Sequence, residues 1–208
     1  MRTSIFIILL LACGTAYSQG ETPLKPERRT VDRPYMEFDT LDFKIGNRLL
    51  SVEPYGRLLL IENGDTTESS LSTELSITRA YYLNSRDRHY FFFTDTDMEG
   101  ATSWLECFNK DFKSLWVTPI QGFNMGIPLI NDEFAYVTAI GFVGKINMST
   151  GEYDWRHFNL YDRQTYDFNS FGQPIMNDST IEFPSTNWKS KKERKILVDN
   201  STGELIEN

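Results

Sequence analysis

One stretch, residues 144–155, constrains the fold of this chain more than any other. It reads Gly-Lys-Ile-Asn-Met-Ser-Thr-Gly-Glu-Tyr-Asp-Trp. A short strand leads into a polar turn, and Gly151 stands where a tight hairpin needs a residue with positive φ. A second strand then ends at Trp155, whose indole offers a large apolar face to a neighbouring sheet. The stretch therefore predicts a β-hairpin that packs against another sheet.

Parts of this hairpin pattern recur in the chain. Residues 197–207 repeat it with an aspartate and the Thr-Gly pair, but with a glutamate at the tryptophan position. Residues 107–116 keep the tryptophan and lack the Thr-Gly pair. Trp116 and Trp155 are 39 positions apart, close to the ~40–50-residue period of propeller blades.

A second marker recurs in step with the first. Residues 126–132, Gly-Ile-Pro-Leu-Ile-Asn-Asp, return as Gly-Gln-Pro-Ile-Met-Asn-Asp at residues 172–178, an offset of 46. Proline is tolerated at a strand start, and Asn-Asp favours a turn. Two markers at related periods indicate a repeat architecture.

The hairpin resembles the blade motif of quinoprotein-type (PQQ-like) β-propellers, Ala-x-Asp-x-x-Thr-Gly-x-x-x-Trp. Thr150, Gly151 and Trp155 match that motif, while Lys145 and Asn147 stand for its alanine and aspartate. The resemblance implies an all-β, propeller-like array of about four four-stranded antiparallel blades. Such an array either closes into a ring, with strands near Phe38 completing the last blade, or stays open and is finished by a second chain.

The rest of the chain also favours strands, because no segment shows a sustained helical stripe of apolar residues. Asn-Gly-Asp at residues 63–65 predicts a hairpin turn, and residues 159–170 are interpreted as a polar connection. Strands are expected at residues 49–52, 57–62, 74–83, 89–94, 103–108, 112–117 and 134–137.

The N-terminal region predicts export. Residues 1–18 have a basic start, an apolar run and a small-residue cleavage site, which is typical of a signal peptide. The apolar run is shorter than the ~20 residues needed to span a bilayer. An alternative places a lipid anchor on Cys13, as in a bacterial lipoprotein. Residues 19–34, rich in proline and charge, are expected to be an extended linker, and residues 35–208 to form the PQQ-like domain.

Charge and cysteine content narrow the partners. The net charge of −8 argues against nucleic acid and anionic membrane surfaces as partners. Cys107 has no second cysteine outside the predicted signal peptide, so we interpret it as a small buried hydrophobe.

Residues 95–106 fit the register of a calcium-binding loop. Its carboxylates fall on alternate positions at the start and on the last position, with Gly100 at the turn. The candidate calcium ligands are Asp95, Asp97, Glu99 and Glu106. The alternative is a hairpin with solvated acids at its tip.

A basic segment follows near the C-terminus, at residues 188–195. On an acidic protein, a positive loop with an exposed tryptophan can dock an acidic protein or a polysaccharide. The alternative is a hairpin tip whose lysines prevent edge-to-edge pairing. The candidate binding residues are Trp188, Lys189, Lys191, Lys192 and Arg194.

Catalytic signals are sparse. His89 and His157 have no partner at metal-ligand spacing, and no nucleophile elbow or phosphate-binding glycine loop occurs in the sequence. The quinoprotein dehydrogenases that the motif resembles use more blades, a bound quinone with calcium, and often adjacent cysteines. Trp116 and Trp155 are therefore expected to dock blades rather than to stack on a cofactor.

These observations favour a non-catalytic exported binding or scaffold module, periplasmic, secreted or lipid-anchored, that presents its loops to a protein or glycan. No resident cofactor is expected unless the loop at residues 95–106 binds calcium. Two alternatives stay open: a periplasmic immunity-type inhibitor, and a calcium- or quinone-dependent envelope enzyme.

Overall fold

The computed structural model describes residues 21–33, 36–131, 133–162 and 166–206. These residues form β-strands and one short 3-10 helix at Pro54–Gly56, and no α-helix occurs among them. The all-β class predicted from the sequence is confirmed. The predicted signal peptide, including Cys13, lies outside the described residues.

The strands follow one another along the chain with short turns between them. In chain order they are β1 (Glu27–Arg33), β2 (Met36–Ile45), β3 (Arg48–Val52), β4 (Arg57–Glu62), β5 (Asp65–Ser70), β6 (Ser76–Ser85), β7 (Arg88–Thr96), β8 (Ala101–Asn109), β9 (Ser114–Ile120), β10 (Leu129–Ile130), β11 (Phe134–Ala139), β12 (Phe142–Asn147), β13 (Tyr153–His157), β14 (Tyr161–Asp162), β15 (Asp167–Phe171), β16 (Ile175–Met176), β17 (Thr180–Asn187), β18 (Glu193–Asp199) and β19 (Leu205–Ile206).

The strands form four antiparallel sheets in chain order. The first sheet is β1 to β5, the second β6 to β9 and the third β10 to β13. The fourth follows the order β14-β15-β17-β18-β19, with β16 paired to β17. The predicted array of about four antiparallel blades is confirmed, although the first and fourth sheets carry more than four strands.

Because neighbouring strands alternate in direction, the turns of the last three sheets fall at two ends of the array. The connections between sheets and the turns between middle strands share one end, which we call the connection end. It contains residues 97–100, 121–128, 140–141, 158–160 and 188–192. The hairpin turns at residues 110–113, 148–152 and 200–204 lie at the opposite end.

The core lies between consecutive sheets. One apolar cluster joins the first and second sheets, another the second and third, and a third joins the third and fourth. The described residues contain no hydrophobic cluster between the fourth and first sheets, so the array is open on that side. The cluster between the first and second sheets includes the fully buried Leu50 and Phe91. The next cluster includes Phe92 and Val137, and the last includes Tyr136 and Phe183.

Two tryptophans pack between sheets, as the sequence predicts, and each contacts a glycine of the next sheet. A Cβ added to Gly151, which has φ of +78°, would lie 2.5 Å from Cε3 of Trp116. A Cβ added to Gly203, with φ of +75°, would lie 2.6 Å from Cγ of Trp155. Glycine is therefore needed twice at each turn, for the backbone conformation and for the space that the indole occupies.

The residue two positions after each tryptophan reinforces this contact. Thr118 Oγ1 donates to the carbonyl oxygen of Gly151 at 2.5 Å. His157 Nε2 donates to the carbonyl oxygen of Gly203 at 2.7 Å. His157 therefore has a structural role in joining the third and fourth sheets.

The later part of the segment predicted to be an extended linker, residues 19–34, is paired with the first sheet. Strand β1 pairs along its length with β2. Arg28 lies 3.2 Å from Asp39, and Arg29 lies 2.6 Å from Asp42. The charges that indicated a solvated linker are instead matched by opposite charges on the neighbouring strand.

The segment before β1 is also held by the array. Glu21 forms a β-bridge with Ile130, and Leu24 forms one with Tyr82. Pro23 between them is buried. This segment therefore bridges β6, an edge strand of the second sheet, and β10, an edge strand of the third.

The polar connection predicted over residues 159–170 is also wrong in part, because β14 and β15 form there. Asn169 and Phe171 of β15 are buried, which shows that alternate side chains of this polar segment point inward. Strand β2, which contains Phe38, belongs to the first sheet rather than completing the fourth. The described part of the chain contains no helix long and apolar enough to cross a membrane.

Candidate binding surface

Four aromatic side chains are exposed at the connection end between the third and fourth sheets. Phe123, Phe158, Phe168 and Trp188 are 40%, 40%, 43% and 52% exposed. We call these four residues the aromatic patch. Trp188 was predicted from the sequence and the three phenylalanines were not, although large apolar residues in polar connecting segments are the signal that marks them.

Three residues of the aromatic patch, Phe123, Phe158 and Phe168, line a pocket of about 230 Å³. The pocket wall consists mainly of aromatic and aliphatic side chains, with Gln121 and Asn159 as its polar side chains. Phe142 forms part of the wall and packs against Phe158, with ring centroids 5.5 Å apart. Such a surface favours apolar groups with few directional contacts.

Glycine shapes one side of this pocket. Gly141 has φ of +68°, and a Cβ added there would lie 2.5 Å from Cδ1 of Phe168. The Phe168 ring therefore lies directly over the β11–β12 turn. A larger residue at this turn would displace the ring and change the pocket.

Backbone hydrogen bonds fix the segments that carry the patch. They connect the loop after β9, the β11–β12 turn, the segment after β13, strand β15 and the β17–β18 hairpin. The bonds are Ile140 N to Phe123 O at 3.0 Å, Gly141 N to Asn169 O at 2.9 Å, Leu160 N to Gly141 O at 3.0 Å, and Trp188 N to Phe168 O at 3.4 Å. The aromatic surface is therefore held in place before any partner binds.

The basic hairpin predicted from the sequence adjoins the aromatic patch. The Trp188 and Phe123 rings pack edge to face, with centroids 6.0 Å apart. Asn187 Oδ1 accepts hydrogen bonds from the amide and hydroxyl of Ser190, which fixes the turn. The structure thus brings the candidate binding residues together on one hairpin, where all are exposed: Trp188, Lys189, Lys191, Lys192 and Arg194.

A further cation lies near the pocket wall. The Arg156 guanidinium is 5.1 Å from the ring centroid of Phe158 and 4.9 Å from that of Tyr153. Cation–π contacts of this kind hold the guanidinium over the rings. The pocket wall therefore has a positive charge beside it on β13 as well as on the hairpin.

The candidate calcium residues are not brought together in the way that the loop register requires. Residues 95–106 form the β7–β8 hairpin rather than a curved ligand loop. Asp95 is buried, and its Oδ2 accepts hydrogen bonds from Thr73 at 2.7 Å and Trp104 at 3.0 Å. Asp97 Oδ1 accepts from the amides of Glu99 and Gly100 and caps the turn.

The fourth candidate ligand, Glu106, is fully buried on β8. Its two carboxylate oxygens accept from the amide and hydroxyl of Ser72, each at 2.7 Å. The described residues contain no group of three or more His, Cys, Asp or Glu side chains that could hold a metal ion. Asp95 and Glu106 instead tie the segment after β5 to the second sheet.

His89 and Cys107, which were also considered from the sequence, are both buried. His89 Nδ1 lies 2.7 Å from the hydroxyl of Tyr82, and its ring stacks on Phe112 with centroids 4.0 Å apart. Burial lowers the pKa of His89. Cys107 is fully buried in the cluster between the second and third sheets, and burial raises the pKa of its thiol to about 11.

Comparison with known proteins gives distant structural matches only. No family model matches the chain, and no curated protein matches it. Among solved structures, the computationally designed Ika8 protein matches with a TM-score of 0.48 at 14% identity, covering 80% of this chain and 47% of that one. BamB from Moraxella catarrhalis matches with a TM-score of 0.45 at 13% identity, covering 79% and 48%.

The computationally designed Ika4 protein matches with a TM-score of 0.45 at 11% identity, covering 74% of this chain and 86% of that one. This chain spans about half the length of the Ika8 and BamB chains. At these scores and identities, the matches carry no information about a partner or an activity of this chain.

Proposed function

We propose that this chain is a non-catalytic binding module, a short PQQ-like repeat protein that is exported to the bacterial envelope. It engages a protein or glycan partner at the connection end, between the third and fourth sheets. The observation that carries this proposal is the aromatic patch around a pre-formed pocket, beside the basic hairpin.

Two physical arguments support a binding role for this surface. Scattered single hydrophobic residues are common on protein surfaces, whereas contiguous exposed apolar groups mark interaction sites. Tryptophan beside flexible cations is also typical of binding hot spots, because the indole gives large contact area at low entropic cost. Here Trp188 contacts Phe123 and stands next to Lys189.

Export is supported by residues 1–18 alone, whose sequence has the three regions of a signal peptide. Mass spectrometry of the protein purified from cells that make it tests this part. A mature chain that begins at Gln19 supports ordinary cleavage, and a chain that begins at lipid-modified Cys13 supports an anchored form. A chain that retains Met1 or Arg2 contradicts export.

Site-specific photo-crosslinking tests the binding role. A photo-reactive amino acid replaces Trp188 in one variant and Tyr55 in the other; Tyr55 is 61% exposed in the short helix between β3 and β4. We expect a discrete crosslinked product from position 188 and none from position 55. No product at 188, or the same products at both positions, contradicts the proposal.

A further inference from the structure

We propose that the partner is a protein that presents an acidic segment with one large apolar side chain, which enters the pocket of the aromatic patch. This inference rests on the proposed function and names the chemistry of the partner at the same surface.

The size of the pocket favours a single side chain. Its volume of about 230 Å³ is below the ~300–1,000 Å³ of typical small-molecule sites. The rings of Phe123, Phe158 and Phe168 form much of the wall. An inserted aliphatic or aromatic side chain would replace water against these rings, which is the usual source of hot-spot energy.

The polarity of the pocket argues against a sugar. A bound sugar ring presents hydroxyl groups around its edge, and each needs a partner once it is removed from water. Within the pocket wall, Gln121 and Asn159 are the polar side chains. Two amides do not satisfy a buried sugar ring, whereas an apolar side chain needs no such partners.

The charge around the pocket selects an acidic segment. Lys189, Lys191 and Lys192 are exposed on the hairpin that carries Trp188, and Arg156 lies over Phe158. This local positive charge contrasts with the net charge of −8 of the chain. A positive loop on an acidic protein attracts an acidic segment of a partner.

Acidic groups near the patch do not cancel this charge. Glu193 is exposed beside the lysines, and Asp167 lies next to Phe168, whose amide donates to its carboxylate at 3.0 Å. Glu182 lies 3.2 Å from Lys195, further along the same hairpin. Three lysines and Arg156 therefore face two nearby carboxylates.

Peptide binding to the full mature chain tests the inference. The probes are short fluorescent peptides of glutamate and aspartate with one central phenylalanine, with glycine in its place, or with amides in place of the acids. We expect the first peptide to bind, and each of the other two to bind about tenfold more weakly, since each lacks one half of the recognition. Anisotropy of the peptide measures the affinity.

Variants assign the binding to the surface. Trp188→Ala is expected to weaken binding about tenfold or more. The combined Lys189→Ser, Lys191→Ser and Lys192→Ser variant is expected to weaken it about tenfold and to flatten its dependence on salt. Matched controls are Tyr55→Ala for the aromatic change and Lys110→Ser with Lys113→Ser for the charge change, because these lysines lie in an exposed turn at the opposite end.

The outcomes separate the inference from the proposed function. Equal affinity for all three peptides, no peptide binding, or an unchanged affinity in the Trp188→Ala variant overturns the acidic-segment inference. If any of these results is found but position 188 still crosslinks to a partner, the binding role is supported and the partner belongs to another class. A crosslinked glycan would have the same meaning. Loss of both crosslinking and peptide binding overturns both proposals.

Discussion

Neighbouring sheets in this molecule are joined in two chemically different ways. Between the second and third sheets, and again between the third and fourth, an indole packs on a glycine of the next sheet. Between the first and second sheets, Ser69 Oγ donates to the carbonyl oxygen of Phe112 at 2.7 Å, in the role that Thr118 has for Gly151. Thr67, two residues earlier, therefore stands at the indole position.

At the interface between the first and second sheets, the aromatic ring comes from the turn of the second sheet instead. Phe112 has φ of +55° at the place where the later turns have glycine, and its side chain belongs to the cluster shared by the first two sheets. Buried carboxylates add polar contacts, from Asp95 to Thr73 and from Glu106 to Ser72. At all three interfaces an aromatic ring lies near the turn, and either of the two sheets can supply it.

Removing an indole should have the largest effect on stability. Trp155→Ala is expected to lower the free energy of unfolding by about 3–5 kcal/mol, because it leaves a cavity between the third and fourth sheets. Chemical denaturation measures this, with Trp188→Ala as the control that stays within about 0.5 kcal/mol. A loss for Trp155→Ala as small as that of the control would contradict the indole's structural role.

The next largest loss of stability is expected when one methyl group is added to Gly203, the glycine that contacts Trp155. Gly203→Ala is expected to cost about 2–4 kcal/mol, since it combines a left-handed backbone with contact against Trp155. Gly46→Ala is the matched control: its φ is +60°, and nothing lies within 4 Å of an added Cβ. It should cost about 1–2 kcal/mol. Equal losses in the two variants would mean that backbone strain alone explains the glycine.

The polar contacts of the first interface predict a smaller effect. Glu106→Gln is expected to cost about 1–3 kcal/mol, because the amide keeps one acceptor oxygen for the two donors of Ser72. Glu99→Gln, on the exposed turn, should change little. The same denaturation experiment compares them. Addition of calcium tests the metal-site hypothesis separately, and a rise in the melting temperature of the native protein would support it.

The smallest effect concerns the turns that receive the indoles. Asp199 Oδ1 accepts from Ser201 and the amide of Thr202, and these hydrogen bonds lower the pKa of Asp199 from its usual 3.8 to about 2. Since the pKa is lower in the folded state, the contribution of Asp199 is present above pH 3.8 and is lost as the pH falls toward 2. Asn147 caps the equivalent turn without titrating.

Asp199→Asn should therefore reduce the loss of stability in this acid range, and Asn147→Asp should increase it. The measurement is the free energy of unfolding between neutral pH and the acid range for both variants and the native chain. Identical pH profiles for all three would show that the carboxylate of Asp199 has no linkage to folding.

The sequence predicted the parts of the fold that depend on local chemistry. The hairpin at residues 144–155 is recognisable because Gly151 and Trp155 each meet a local requirement of the turn and strand. The same markers at residues 126–132 and 172–178 give equivalent pairings, as β10 with β11 and β16 with β17. The equivalence of Phe112 with Gly151 could not be predicted, because a large aromatic residue stands at the turn position where the later turns have glycine.

The sequence does not show contacts between segments that are distant from one another in the chain. The charges of β1 are typical of a linker in the sequence, and their partners on β2 are visible only in the fold. Asp95 and Glu106 fit a metal-binding register in the sequence, whereas in the fold they accept hydrogen bonds from Thr73 and Ser72. The aromatic patch combines four segments from residue 123 to residue 188. Only the fold places these segments together, so Trp188 was predicted without its neighbours.

Among the four tryptophans, Trp116 and Trp155 pack against glycines of the next sheet, whereas Trp188 is exposed and is the one proposed to contact a partner. Hydrogen exchange of the four indole N–H groups, followed by NMR, tests this most directly. We predict fast exchange at Trp188 and slow exchange at Trp116, whose Nε1 is buried, and at Trp155, whose Nε1 donates to Asn200. Exchange at Trp116 or Trp155 as fast as at Trp188 would contradict the account.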